Sequence, residues 1–136
     1  MRVFLDANIL YPAAVKTGAV RRLLSGLARE GHECVADGYV WEEARRNLAV
    51  HHPKSLEALH ELAEEIELHS SFAGAGTHDP EVDLPRKDLP ALASAIALRC
   101  DALVTGDLTH FGPMMGQTVR GVTVHTPRSL AETVWR

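Results

Sequence analysis

Residues 88–111 read DLPALASAIALRCDALVTGDLTHF: an acid, a long apolar stretch, a polar break, and a short apolar run ending on another acid. From Leu89 to Cys100 only Ser94 and Arg99 are clearly polar apart from Pro90, which predicts a core helix covered on most sides. Ala102 to Thr105 then reads as a buried strand, with Gly106 and Asp107 supplying turn chemistry.

The same alternation runs outward in both directions. Arg2 to Leu5 is a strand-forming run, and Val20, Leu23, Leu24, Leu27 and Ala28 recur at helical spacing before Gly31, a C-cap glycine. His32 to Ala36 is a second strand, after which Asp37 caps a helix holding Val40, Ala44 and Leu48. Pro53 opens a further helix with one buried side, marked by Leu56, Leu59, Ala63 and Ile66. SSFAGAGTHDPEVDLPRK, from Ser70 to Lys87, is a long polar connection with a short strand expected around Phe72. Val122 to Thr126 is the last strand read. Strands alternating with helices predict an α/β fold with a mostly parallel sheet, and residues 1–136 are expected to form one domain. In such sheets the ligand crevice lies beyond the carboxyl ends of the strands, where Asp6 and Asp107 both fall.

Composition excludes several classes. Apolar residues make up 46% of the chain and charged residues 24%, which is ordinary for a folded globular domain. Net charge is −4, so there is no global positive field and any site for a polyanion must be local. Cys34 and Cys100 are distant from each other in sequence and read as reduced core thiols. No apolar run approaches the ~18 residues of a membrane span, and the start does not read as a signal peptide, so a cytoplasmic protein is expected.

Four acids stand out by position: Asp6, Glu43, Asp88 and Asp107. Asp6 and Asp88 are also natural helix caps, and Asp107 an ordinary turn residue. Glu43 is more informative. At ~100° per residue it falls roughly 60° from Val40, at the border of the buried stripe, whereas Glu42 points about 200° away. Four carboxylates at one sheet end would repel one another unless a cation sat among them, and hard oxygen ligands suit Mg²⁺ or Mn²⁺. Histidine offers no competing site. His51, His60, His69 and His78 recur every nine residues, so on a helix neighbours face opposite ways, and zinc is not expected. No phosphate-binding glycine loop or serine-hydrolase elbow is present.

LDANIL, WEEARRNL and DLPALASAIALRCDALVTGDLTHF, in that order and spanning almost the whole chain, resemble the motifs of the PIN domain family. The resemblance implies a three-layer α/β/α sandwich on a parallel sheet, carrying a metal-dependent ribonuclease site built from acids. Residue by residue, Asp6, Glu43, Asp88 and Asp107 match the acidic positions. Asn8 matches the polar residue after the first acid, and Thr105 the threonine of the TGD turn. Domains of this size are often VapC-like toxins, which implies a bound antitoxin and a homodimer. The chain departs from the simplest such pattern in its longer polar connection, where Asp79 and Asp83 compete with Asp88 as the third acid.

On this reading Asp6, Asp88 and Asp107 hold Mg²⁺ or Mn²⁺, while Glu43 positions or deprotonates the attacking water or helps hold a second ion. Asn8 and Thr105 would orient these ligands, or else serve only as turn and capping residues. Arg45, Arg46, Arg86 and Lys87 would hold RNA phosphates beside the acids. His110 and Phe111 could stack on a base, although a phenylalanine there also suits the core. Two rivals stay open: an inactive PIN-like module that binds RNA or acts as a scaffold, and a haloacid-dehalogenase-type phosphohydrolase. Against the latter, Asn8 stands where that family's second aspartate would be.

Overall fold

A computed structural model describes residues 1–74 and 90–135 of the chain. The first strand, β1 (Arg2–Leu5), leads into α1 (Ala7–Val15) and α2 (Ala19–Arg29). Gly31, at φ +83°, takes the left-handed conformation that ends α2, as the sequence predicts. There follow β2 (Glu33–Asp37), α3 (Gly38–His51), α4 (Leu56–Leu62) and β3 (Glu67–His69). The remaining elements are α5 (Pro90–Ala97), β4 (Ala102–Val104), α6 (Leu108–Phe111), β5 (Thr118–Val119), β6 (Val122–His125) and α7 (Pro127–Val134).

The described strands form one sheet in the order β3-β2-β1-β4-β6-β5, parallel throughout except for the antiparallel β5–β6 pair. This is the expected α/β architecture. Val3, Phe4, Leu5, Leu103 and Val104 are fully buried, the continuous apolar reading that strands covered on both faces require. The chain first builds outward from β1 through β2 to β3. It then returns to the other side of β1 with β4. The order therefore reverses between β1 and β4, and a crevice opens at their carboxyl ends.

Two expected elements differ in place. The strand expected around Phe72 lies earlier, at Glu67–His69, where it pairs with the end of β2 as an edge. The helix expected to reach Ile66 stops at Leu62 and passes through a 3-10 turn, because Ile66 is already extended for entry into β3. Helix α7 is announced by a local pattern that hydrophobic spacing alone overlooks. Thr126 and Ser129 form a reciprocal capping box, with a proline in the first turn.

Candidate active site

Asp6 follows β1 directly, and its reading as a helix cap holds. Its Oδ1 accepts the Ala7 N–H at 2.8 Å and so caps α1. Its Oδ2 accepts the Thr105 hydroxyl at 2.7 Å and the Asn8 amide at 3.3 Å. Thr105, fully buried, stands just past β4 and receives the Asp107 N–H on its own oxygen at 3.1 Å. Asn8 completes the tie by accepting the Gly106 N–H at 2.8 Å. The ends of β1 and β4 are thus laced together by side chains where the backbone ladder stops.

Asp107 caps α6, accepting the His110 N–H at 3.1 Å, and its other oxygen pairs with His110 Nδ1 at 2.7 Å. Glu43 reaches the same place from α3. Asp6, Asn8, Glu43 and Asp107 line one cleft of about 180 Å³, closed at its sides by Tyr39 and Pro90 among others. Glu43 remains exposed as a residue while its carboxylate borders this cleft, which refines its expected position at the edge of the buried stripe.

The electrostatics follow from this crowding. Burial pushes the Asp6 carboxyl above its ordinary value, and Asp107 adds to the rise, against hydrogen bonds from Thr105, Ala7 and Asn8. Glu43 is raised first by partial desolvation and then by Asp6 and Asp107, with Arg46 opposing. For Asp107 burial acts upward, but the His110 contacts prevail and hold it below the usual range.

Asp88, Arg86, Lys87, Asp79 and Asp83 lie outside the described residues. Arg45 is engaged by Glu42 on the exposed side of α3, its Nε lying 2.9 Å from a Glu42 oxygen. Arg46 is exposed and close enough to act on Glu43. Phe111 is buried and closes the core beside the cleft, while His110 is bonded to Asp107. The sequence reading passed over Tyr39, whose signal was its place two residues past the carboxyl end of β2, on the same sheet edge as the acids.

Among the described residues no three carboxylate, imidazole or thiolate groups already stand close enough to grip an ion. The acids that face the cleft nevertheless offer hard oxygen donors, with the one lining imidazole, His110, paired to Asp107, and two of the carboxyls are raised by burial and mutual repulsion. That chemistry fits a hard divalent cation held by a few carboxylates and several waters.

The profile of the PIN domain matches residues 2–109. The chain belongs to the PIN domain family. Solved structures agree on its fold. VapBC2 from Rickettsia felis, bound to a DNA fragment from its promoter, superposes with a TM-score of 0.66 at 17% identity, over 93% of this chain and 98% of that one. VapBC-1 from nontypeable Haemophilus influenzae gives 0.60 at 15%, over 94% and 99%. FitAcB from Neisseria gonorrhoeae gives 0.54 at 20%, over 93% and 98%. No curated protein sequence matches the chain. Membership of the PIN family displaces the haloacid-dehalogenase reading. No described helix of this PIN domain is long and apolar enough to cross a membrane.

Proposed function

We infer that this PIN domain is an Mg²⁺- or Mn²⁺-dependent endoribonuclease, acting in the cytoplasm as the toxin of a toxin–antitoxin pair. The observation that carries the reading is the meeting of Asp6, Glu43 and Asp107 in one cleft at the point where the strand order reverses. Asp6 and Asp107 would hold the cation, and Asp88, two residues before the cleft-lining Pro90, is proposed as a further ligand. When bound, such an ion activates water and offsets the charge that builds on a phosphate.

The chain's own residues divide the remaining work. Thr105 and Asn8 fix the orientation of the Asp6 oxygen that faces away from the helix cap. Glu43, raised above the usual carboxylate range, is suited to accept a proton from the attacking water. Arg46, together with Arg86 and Lys87, is proposed to hold RNA phosphates beside the cleft, with Arg45 available if it leaves Glu42. The likeness to VapBC and FitAcB structures supports a cognate antitoxin as partner, and a homodimer is proposed as the working assembly.

The test is cleavage of single-stranded RNA with Mg²⁺ or Mn²⁺, with EDTA, and with Asp6→Asn. Cleavage that needs the metal and is abolished by the substitution is expected. Cleavage that survives chelation and substitution, or no cleavage by the wild type, overturns the reading.

A further inference from the structure

Tyr39 lines the acidic cleft with 41% of its surface exposed, and the handling of a metal and a phosphate has no need of an aromatic ring there. A lone exposed aromatic is unremarkable on a protein surface. This one is built in. Phe72 backs it, with ring centroids 5.0 Å apart and planes inclined at 40°.

Both rings are anchored to one buried carboxylate. Asp37, fully buried, caps α3 by accepting the Val40 N–H on Oδ1 at 3.2 Å, which fixes the turn carrying Tyr39. Its Oδ2 accepts the Ala73 N–H at 3.0 Å and the Ser94 hydroxyl at 2.5 Å, and so fixes the segment carrying Phe72. Ser94 in turn accepts the Gly74 N–H at 3.1 Å, and the Gly38 N–H reaches the Ser71 carbonyl at 3.2 Å. A partly exposed aromatic ring, held in place at the lip of a phosphate-processing cleft, has the form of a platform on which a single-stranded base stacks.

We propose that Tyr39, backed by Phe72, is the binding site for an unpaired nucleobase next to the phosphate in the acidic cleft. The proposal rests on the nuclease reading for its substrate class. Stacking on a ring accepts any base, since every base has a π-face, but it requires the base to be free of a duplex. Tyr39 would thus select single-stranded RNA while leaving sequence choice to other contacts.

The test measures binding in EDTA, by fluorescence anisotropy, of a short labelled RNA and of an abasic RNA of the same length. The proteins are the wild type, Tyr39→Ala, Tyr39→Leu and Tyr39→Phe, with a thermal melt of each. Wild type is expected to prefer the base-bearing RNA, and Tyr39→Ala to weaken that binding by about 5- to 150-fold, the worth of one stacked base. Abasic RNA should bind both alike. Tyr39→Leu, which keeps bulk without a π-face, should follow the alanine variant, and Tyr39→Phe should follow the wild type. A wild type indifferent to the bases, an equal loss for both RNAs, or full binding by Tyr39→Leu overturns the platform. If a variant does not fold, the base preference of the wild type and the remaining variants still decide. Cleavage is scored separately: wild type that prefers bases but cuts no RNA refutes the nuclease reading, and wild type that cuts but ignores bases refutes the platform alone.

Discussion

The Thr105 hydroxyl meets Asp6 Oδ2 at 2.7 Å across a separation of ninety-nine residues, and both groups are buried. A hydrogen bond to a buried carboxylate is worth more than a neutral one, and a buried acceptor left without its donor retains its desolvation cost. The Thr105→Val variant keeps the shape and removes the donor. It should lose about 1.5–3 kcal/mol of stability in urea unfolding at neutral pH, and Thr105→Ser should recover most of it. Unchanged stability in the valine variant would show that the hydroxyl contributes nothing to holding Asp6.

Glu43 carries a stability penalty at neutral pH. Its carboxyl is raised in the folded chain by desolvation and by Asp6 and Asp107, so the folded state binds its proton more readily than the unfolded state does. Stability therefore falls as pH rises from the ordinary glutamate value through the raised one, and the penalty is complete above it. Glu43→Gln should melt higher than wild type at neutral pH in metal-free buffer. The gap should close on acidification below the ordinary value of 4.5. A gap of constant size across the titration would assign the gain to something other than charge.

At the opposite edge of the sheet the sign reverses. Arg2 contacts Glu67 and Glu33, each at 2.8 Å, and the first of these, with help from His69, lowers the Glu67 carboxyl to about 2. The stability this provides is present above the ordinary value of 4.5 and is lost as pH falls toward about 2. Because the pair is partly exposed, Glu67→Gln should cost no more than about 1 kcal/mol at neutral pH and nothing at the acid end. Paired melts of the two proteins across this range check the sign.

Gly38 leaves no room for a side chain. A Cβ there would lie 2.4 Å from the Ser70 carbonyl oxygen, a backbone atom that cannot swing aside. Gly38→Ala should cost about 1–3 kcal/mol despite alanine's better helix propensity. It should also disturb the Tyr39–Phe72 pair, since the 70–74 segment must retreat. Equilibrium denaturation tests the first effect and near-ultraviolet circular dichroism the second.

Much of this was legible in the sequence where physics leaves a local mark. Val3 to Leu5 and Ala102 to Val104 read as buried strands because a parallel strand covered on both faces has no polar side to interrupt it. The helical wheel separated Glu43 from Glu42 because Val40, Ala44 and Leu48 fixed the buried direction of α3, and the buried residues of that helix are those three. The edge strand Glu67–His69 left no such mark, since an edge beside solvent needs neither apolar character nor alternation. Tyr39 escaped for a different reason. Its partner Phe72 and the anchor Ser94 come from distant parts of the chain, and no window of sequence holds all three.

The position of β1 between β2 and β4 has a consequence for the order in which the site comes into being. Asp6 comes ninety-nine residues before Thr105, whose hydroxyl orients it, and Asn8 is held by the Gly106 amide that follows. A growing or truncated chain ending before β4 would carry Asp6 beside an empty slot in the sheet, without the hydroxyl that fixes it or the second acid at Asp107. The cleft can therefore form only after β4 has docked against β1, so the fold itself ties competence to the pairing of an early strand with a late one.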